Sequence, residues 1–216
     1  MTLVIGVTAL KGGVGKSTVT TNLGAHLHNE GHRVLIVDGD SQGTCRGWAS
    51  ISASADRDTP PVVSMGAEMR RDLAKVAAGF DVAVVDTPPR LGAEQRAAML
   101  VSDLVIIPVT PGPADVWALQ ETLALLDDAR ELRPELRAAI VLNRISKRTS
   151  IAAVTRGAIE EWDVPVMEAT LGNRVVFGEA MATGQGVTSY APKSPAAAEV
   201  KALTAEVLRR LQETEQ

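Results

Sequence analysis

The sequence is poor in cysteine: Cys45 is the only one among 216 residues. A single thiol can form no internal disulfide, which excludes a small stapled secreted domain. It equally excludes zinc or iron–sulfur sites built from several cysteines. No apolar run approaches the roughly 18 residues that a membrane-spanning helix requires. Neither sign of charge dominates: 22 Lys and Arg stand against 26 Asp and Glu, a formal net charge of −4. A chain coated in positive charge is thereby ruled out. A local basic patch is not, because phosphate binding follows where the cations cluster. Met1 is followed by TLVIGVTALKGG, with no basic leader and no small-residue cleavage site. We therefore read no signal peptide and expect a cytoplasmic chain.

What is present is an apolar fraction of 45%, too high for a disordered chain. The length suits one α/β domain, expected to span 1–216, with a core that buries roughly 70% of the unfolded surface. Strand-like runs rich in Val, Ile, Leu and Ala lie at 3–9, 33–37, 62–65, 82–86, 104–109, 138–143 and 164–171. Near-continuous apolar runs are how strands buried on both faces read. Helical patterns lie between and after them, at 16–30, 67–78, 93–101, 114–132, 150–161 and 195–212. The alternation predicts βαβ units: a mostly parallel sheet flanked by helices on both faces. The polar stretch 50–61 reads as a surface loop. In such sheets ligands bind beyond the carboxyl ends of the strands.

After the first run comes Leu10-Lys11-Gly12-Gly13-Val14-Gly15-Lys16-Ser17-Thr18, leading into a helix. Glycines at Gly12, Gly13 and Gly15 let successive backbone N–H groups point at phosphate oxygens. The helix N-terminus adds the positive end of a dipole. Lys16 is placed for the β- and γ-phosphates, the Ser17 hydroxyl for Mg²⁺ and Thr18 for the α-phosphate. The common pattern G-x-x-x-x-G-K-S/T has Gly where this chain has Leu10, and a second lysine, Lys11, stands inside the loop. The second run ends in Asp38-Gly39-Asp40, two carboxylates beside the triphosphate position that can serve a metal ion and a water. The fourth ends in Asp86-Thr87-Pro88-Pro89, an apolar strand closing on an acid fit to contact Mg²⁺ through water.

The run KGGVGKST resembles the deviant Walker A loop of the ParA/MinD superfamily of ATPases, most like the small plasmid-partition, ParF-like branch. The resemblance implies a P-loop NTPase fold, ATP and Mg²⁺ as ligands, and a homodimer that sandwiches two nucleotides. It implies that Lys11 acts across the interface on the partner's nucleotide, that Asp40 orients the attacking water and that Asp38 supports the Mg²⁺ shell. It places Asn143, Arg144 and Pro192 of the Tyr190–Ser194 loop by the adenine, although Ala191 stands where the family has Asp. It also implies non-specific, nucleoid-associated DNA binding through Lys147, Arg148 and Arg174, and a separate ParB/ParG-like adaptor. The role implied first is plasmid partition. The alternatives are positioning of a protein cargo (a microcompartment or chemoreceptor cluster) and a membrane-associated regulator like MinD.

The last alternative needs a basic amphipathic tail. Here the stripe Val200, Leu203, Val207 and Leu211 is flanked by Glu199, Glu206, Glu213 and Glu215, so it reads as core packing with no membrane partner. No helix-turn-helix extension precedes the loop. Asp115 reads either as a contact to a partner subunit or as a helix N-terminal acid. Trp48, Trp117 and Trp162 are isolated and read as packing residues, and His26, His28 and His32 as surface or packing residues.

Overall fold

A computed structural model describes residues 1–90, 92–146 and 151–213. Its elements, in order, are β1 (Leu3–Val7), α1 (Lys16–Asn29), β2 (Val34–Asp38), α2 (Thr44–Ser54), β3 (Val62–Ser64), α3 (Met69–Val76), β4 (Val82–Asp86), α4 (Ala93–Val101), β5 (Leu104–Val109), α5 (Pro113–Leu132), β6 (Arg137–Leu142), α6 (Ile151–Ile159), α7 (Val175–Ala182), α8 (Val187–Tyr190) and α9 (Pro195–Gln212). The strands form one parallel sheet in the order β3-β2-β4-β1-β5-β6. This is the expected α/β architecture: the chain runs outward from β1 to β2 and β3, reverses, inserts β4 between β2 and β1, and adds β5 and β6 on the other side.

Alternation along each strand sends side chains to two cores. Ile5, Val7, Val84 and Ile106 face α1, α7 and α9, where Leu23, Phe177, Val200 and Leu203 meet them. Val105, Ile107, Ala138 and Ile140 face α4, α5 and α6. Val4, Leu35, Val37 and Val85 face α3 and α4. The apolar stripe of α9 is thus core, as its spacing predicted: Val200, Leu203, Val207 and Leu211 are all buried. Among the described residues no helix is long and apolar enough to cross a membrane.

Three expectations need correction. The run 164–171 is not a regular strand; it meets β6 at the Ile140–Val166 bridge and through the Met167 and Leu171 N–H groups, which donate to the Ile140 and Leu142 carbonyls, and a second bridge, Ile145–Gly172, lies just beyond it. Between those contacts the ladder is interrupted: the Glu168 and Ala169 N–H groups donate to the Glu206 carboxylate on α9. The stretch 50–61 is not all loop, because α2 runs to Ser54. Its polar residues disguised a buried face of Cys45, Trp48 and Ser52 at helical spacing. Trp117 does not pack: it stands 68% exposed on the first turns of α5, whereas Trp48 is buried and Trp162 half-buried against the second core.

Gly184, between α7 and α8, packs against Ser52 of α2. Its φ is +70°, and a Cβ there would lie 2.4 Å from the Ser52 nitrogen. Gly79 has φ +97° with open space around it. Gly79→Ala should therefore cost only the left-handed penalty, about 1 kcal/mol, and Gly184→Ala at least about 2 kcal/mol more, read by urea denaturation. Equal losses would show that packing at Ser52 relaxes freely.

Candidate functional site

The carboxyl ends of β1, β2 and β4 converge on one spot. Asp38 and Asp86 are register partners on adjacent parallel strands, and both are fully buried. Gly39 makes the approach possible: its N–H donates to the Asp86 carbonyl at 2.9 Å, and a Cβ there would stand 2.8 Å from that oxygen. Asp38 accepts from the Asp40 and Arg46 backbone N–H groups at 3.2 and 2.9 Å, with the Arg46 guanidinium at 3.6 Å. Asp40, half-buried one turn further out, accepts from the Gln42 N–H at 3.0 Å, a local turn that fixes its carboxylate.

Asp86 is surrounded by weak or neutral donors. Ser17 Oγ donates at 2.6 Å, Thr20 Oγ1 at 3.4 Å and Cys45 Sγ at 3.4 Å. Burial pushes its carboxyl up to about 6, against the opposing effect of those hydrogen bonds and of Lys16. Burial likewise holds the Lys16 ammonium below its ordinary value, although Asp86 and Asp40 pull the other way. The same burial, reinforced by Asp86, raises the Cys45 thiol well above the usual range, so it stays protonated as a donor.

The loop from β1 to α1 is shaped by left-handed backbone at Gly13 (φ +78°) and Gly15 (φ +93°). No side chain caps α1, so its first N–H groups are presented to the loop as donors. The outer side of the loop is clamped from β6. Asn143 Nδ2 donates to the Val14 carbonyl at 2.7 Å, and Arg144 donates to the Gly13 carbonyl at 2.8 Å. Asn143 also accepts from the Arg144 N–H, and Arg144 takes a left-handed φ of +56° to allow it. A Cβ on Gly15 would meet Asn143 Nδ2 at 2.2 Å, so glycine is obligatory there.

Within the loop, Lys16 Nζ donates to the Lys11 carbonyl at 3.1 Å. Lys11 Nζ pairs with Asp115 at 2.8 Å, on the first turn of the chain's own α5. The Leu10 N–H donates to Thr122 on the same helix. Thr87 ties the end of β4 to β1 through the Val7 carbonyl and the Thr8 hydroxyl. Buried Gln95 donates to the Pro88 carbonyl at 2.8 Å and more distantly to Ala9.

A cavity of about 260 Å³ opens beside the loop, lined by Thr18, Asn143, Arg144, Asn173, Phe177 and Met181 among others. Pro192 is exposed and does not line it. A larger cavity, about 640 Å³, lies at the opposite ends of the strands between α3 and α4. It lies away from the glycine loop and the carboxylates, so the smaller cavity is the one that matters here.

The structure brings together Gly12, Gly13, Val14, Gly15, Lys16, Ser17, Thr18, Asp38, Asp40, Asp86, Asn143 and Arg144. Arg174 lines the same cavity as Asn143 and Arg144, with its guanidinium bound to Glu199 at 3.0 Å. Lys147 and Arg148 lie outside the described residues. Sequence reasoning missed Thr20, Cys45, Arg46 and Gln95. Thr20 carried a signal, lying one helical turn after Lys16; Cys45 and Arg46 were hidden with the unrecognised α2.

Comparison with known proteins agrees with this geometry. Residues 5–187 match the CobQ/CobB/MinD/ParA nucleotide binding domain. The Maintenance of carboxysome distribution protein A of Halothiobacillus neapolitanus is 34% identical over 197 residues, covering 90% of this chain and 91% of that protein. The chromosome-partitioning ATPase Soj of Thermus thermophilus is 28% identical, covering 94% of each. The septum site-determining protein MinD of Pyrococcus horikoshii, solved with Mg-ADP, shares the fold with a TM-score of 0.73 at 22% identity, over 96% of both chains. A glycine loop clamped from β6, two buried acids at its mouth and a matching domain over most of the chain make this protein a member of the CobQ/CobB/MinD/ParA nucleotide-binding family.

Proposed function

We propose that this chain is a ParA-type ATPase that positions a cargo over the nucleoid, and that the cargo is a protein body of the carboxysome kind. The observation that carries the ATPase reading is the dry cluster of Lys16, Ser17 and Asp86 under a left-handed glycine loop. The cargo reading rests on the carboxysome-distribution relative. Plasmid partition is the second reading, favoured by the partitioning relative Soj.

The residues fit ATP and Mg²⁺. Asp86, Asp38 and the Ser17 hydroxyl form a hard oxygen set, suited to Mg²⁺ rather than to a softer metal. Those residues would hold Mg²⁺, which when bound offsets charge on the phosphate oxygens. The backbone donors of Gly12–Thr18 bind and orient the triphosphate. Lys16 exchanges its carbonyl partner for phosphate oxygens, a stronger, charge-assisted bond. Asp40, fixed by its turn with Gln42, orients the attacking water in line with the γ-phosphate. Lys11 of one chain stabilises charge on the nucleotide of a second copy. Asn143, Arg144 and the 260 Å³ cavity take the nucleoside end. The ATP-bound dimer holds non-specific DNA through Lys147 and Arg148, an adaptor protein links it to cargo and stimulates turnover, and hydrolysis dissolves it.

Three outcomes are expected. Duplex DNA of arbitrary sequence should bind with ATP and not with ADP, weaken by more than about tenfold between 50 and 200 mM salt, and be lost in Arg148→Glu. Absence of binding in both nucleotide states would end the nucleoid reading while leaving the nucleotide site intact.

Steady-state kinetics should separate the acids and lysines. Asp40→Ala is expected to retain ATP binding and lose turnover by about 100-fold or more. Lys16→Ala should lose nucleotide binding itself. An active Asp40→Ala would remove that residue from the chemistry.

The raised Asp86 carboxyl gives a pH dependence of known sign. With its folded value near 6, the proton leaves as pH rises through 6, and Mg²⁺ needs the ionised form. Mg²⁺-dependent affinity for a fluorescent ATP analogue should be flat above pH 7 and fall toward about tenfold per pH unit below 6. In the nucleotide-free protein the ionised acid is a burden, and the stability of the protonated form is lost as pH rises from about 4 to 6. Asp86→Asn should be at least as heat-stable as wild type at pH 8, and should lose the Mg²⁺ dependence.

A further inference from the structure

Lys11 has a second partner that the nucleotide chemistry does not require. Its ammonium lies 2.8 Å from Asp115, with the two side chains 36% and 15% exposed. That setting screens the pair less than open solvent would. Asp115 is well placed to keep its position. It sits in the first turn of α5, where the helix dipole favours a carboxylate, and its N–H is bonded to the Gly112 carbonyl. A Cβ on Gly112 would stand 3.2 Å from the Asp115 carboxylate, so the glycine leaves that rotamer room.

The loop backbone is fastened to the same helix and to Lys16. Leu10 donates to Thr122, and the Lys11 carbonyl accepts from Lys16. One ammonium cannot remain against its own α5 and also extend to the nucleotide of a second chain. We propose that Asp115 is a positioning residue for Lys11: it holds the lysine against its own subunit until a nucleotide-loaded second copy competes for it. Only the fraction of molecules with Lys11 released is then competent to dimerise, and the apparent dimer affinity is reduced by that fraction. Phosphate binding draws Lys16 from the Lys11 carbonyl and so loosens the residue that must move. The inference rests on the ATP-sandwich dimer proposed above.

The test is sedimentation equilibrium with Mg²⁺ and a non-hydrolysable ATP analogue. Wild type, Asp115→Asn, Asp115→Ser, Lys11→Ala and Lys11→Ala/Asp115→Asn are compared, with nucleotide affinity measured in parallel. Asp115→Ser removes the charge yet suits the first turn of a helix, so it guards against a loss that is merely one of folding. Both single Asp115 variants should dimerise about five- to tenfold more tightly than wild type, with unchanged nucleotide affinity. In the Lys11→Ala background the Asp115 substitution should have no effect, since nothing remains to be held. Unchanged or weaker dimers in both Asp115 variants, or an equal gain without Lys11, would overturn the proposal while leaving the dimer standing. Wild type that binds the analogue and stays monomeric at every concentration would overturn the dimer reading and the holding role together.

Discussion

Everything at the mouth of this sheet depends on keeping charge away from water. Asp38 and Asp86 end neighbouring strands with no exposed surface, and Lys16 is nearly as deep. Such groups are costly unless matched, and their partners here are incomplete. Asp86 receives two hydroxyls and a thiol and no full ion pair. Lys16 rests on a backbone carbonyl. A site in that condition is completed by a ligand that brings both negative oxygens and a divalent cation. Its incompleteness in the free protein is the source of its affinity, in the usual exchange of stability for function.

The glycine loop is held from outside rather than from within. Asn143 and Arg144 occupy two carbonyls from the end of β6, and α5 occupies Leu10 and Lys11. These contacts turn carbonyls away from the side where the α1 dipole and free N–H groups are aimed. The strain that this needs is local and visible: left-handed glycines at 13 and 15, and a left-handed arginine at 144.

Much of this was legible in the sequence because each signal was dense and local. Buried parallel strands read as apolar runs, and Lys11 through Thr18 carries its chemistry in consecutive residues. What escaped is what tertiary contact decides. The run 164–171 is as apolar as a strand, yet Glu206 takes the Glu168 and Ala169 N–H groups, and Glu199 that of Gly172, so the ladder to β6 is broken after Met167. Helix α2 hid its buried face among serines and alanines. Trp117 looks like core in any composition count and is exposed because α5 directs it away from Leu119 and Leu126. The partner of Asp115 could not be read, since 103 residues of chain lie between it and Lys11. No cargo can be read from the loop, because the residues that bind a nucleotide carry no record of what the protein moves.

The margins of the sheet have a consequence of their own. At one side β3 is only three residues long, and at the other the irregular 164–172 segment lies across β6 through single bridges. Neither margin offers a long row of open backbone groups for another chain to extend. Endless edge-to-edge joining by strand addition is thereby disfavoured at both sides of the sheet.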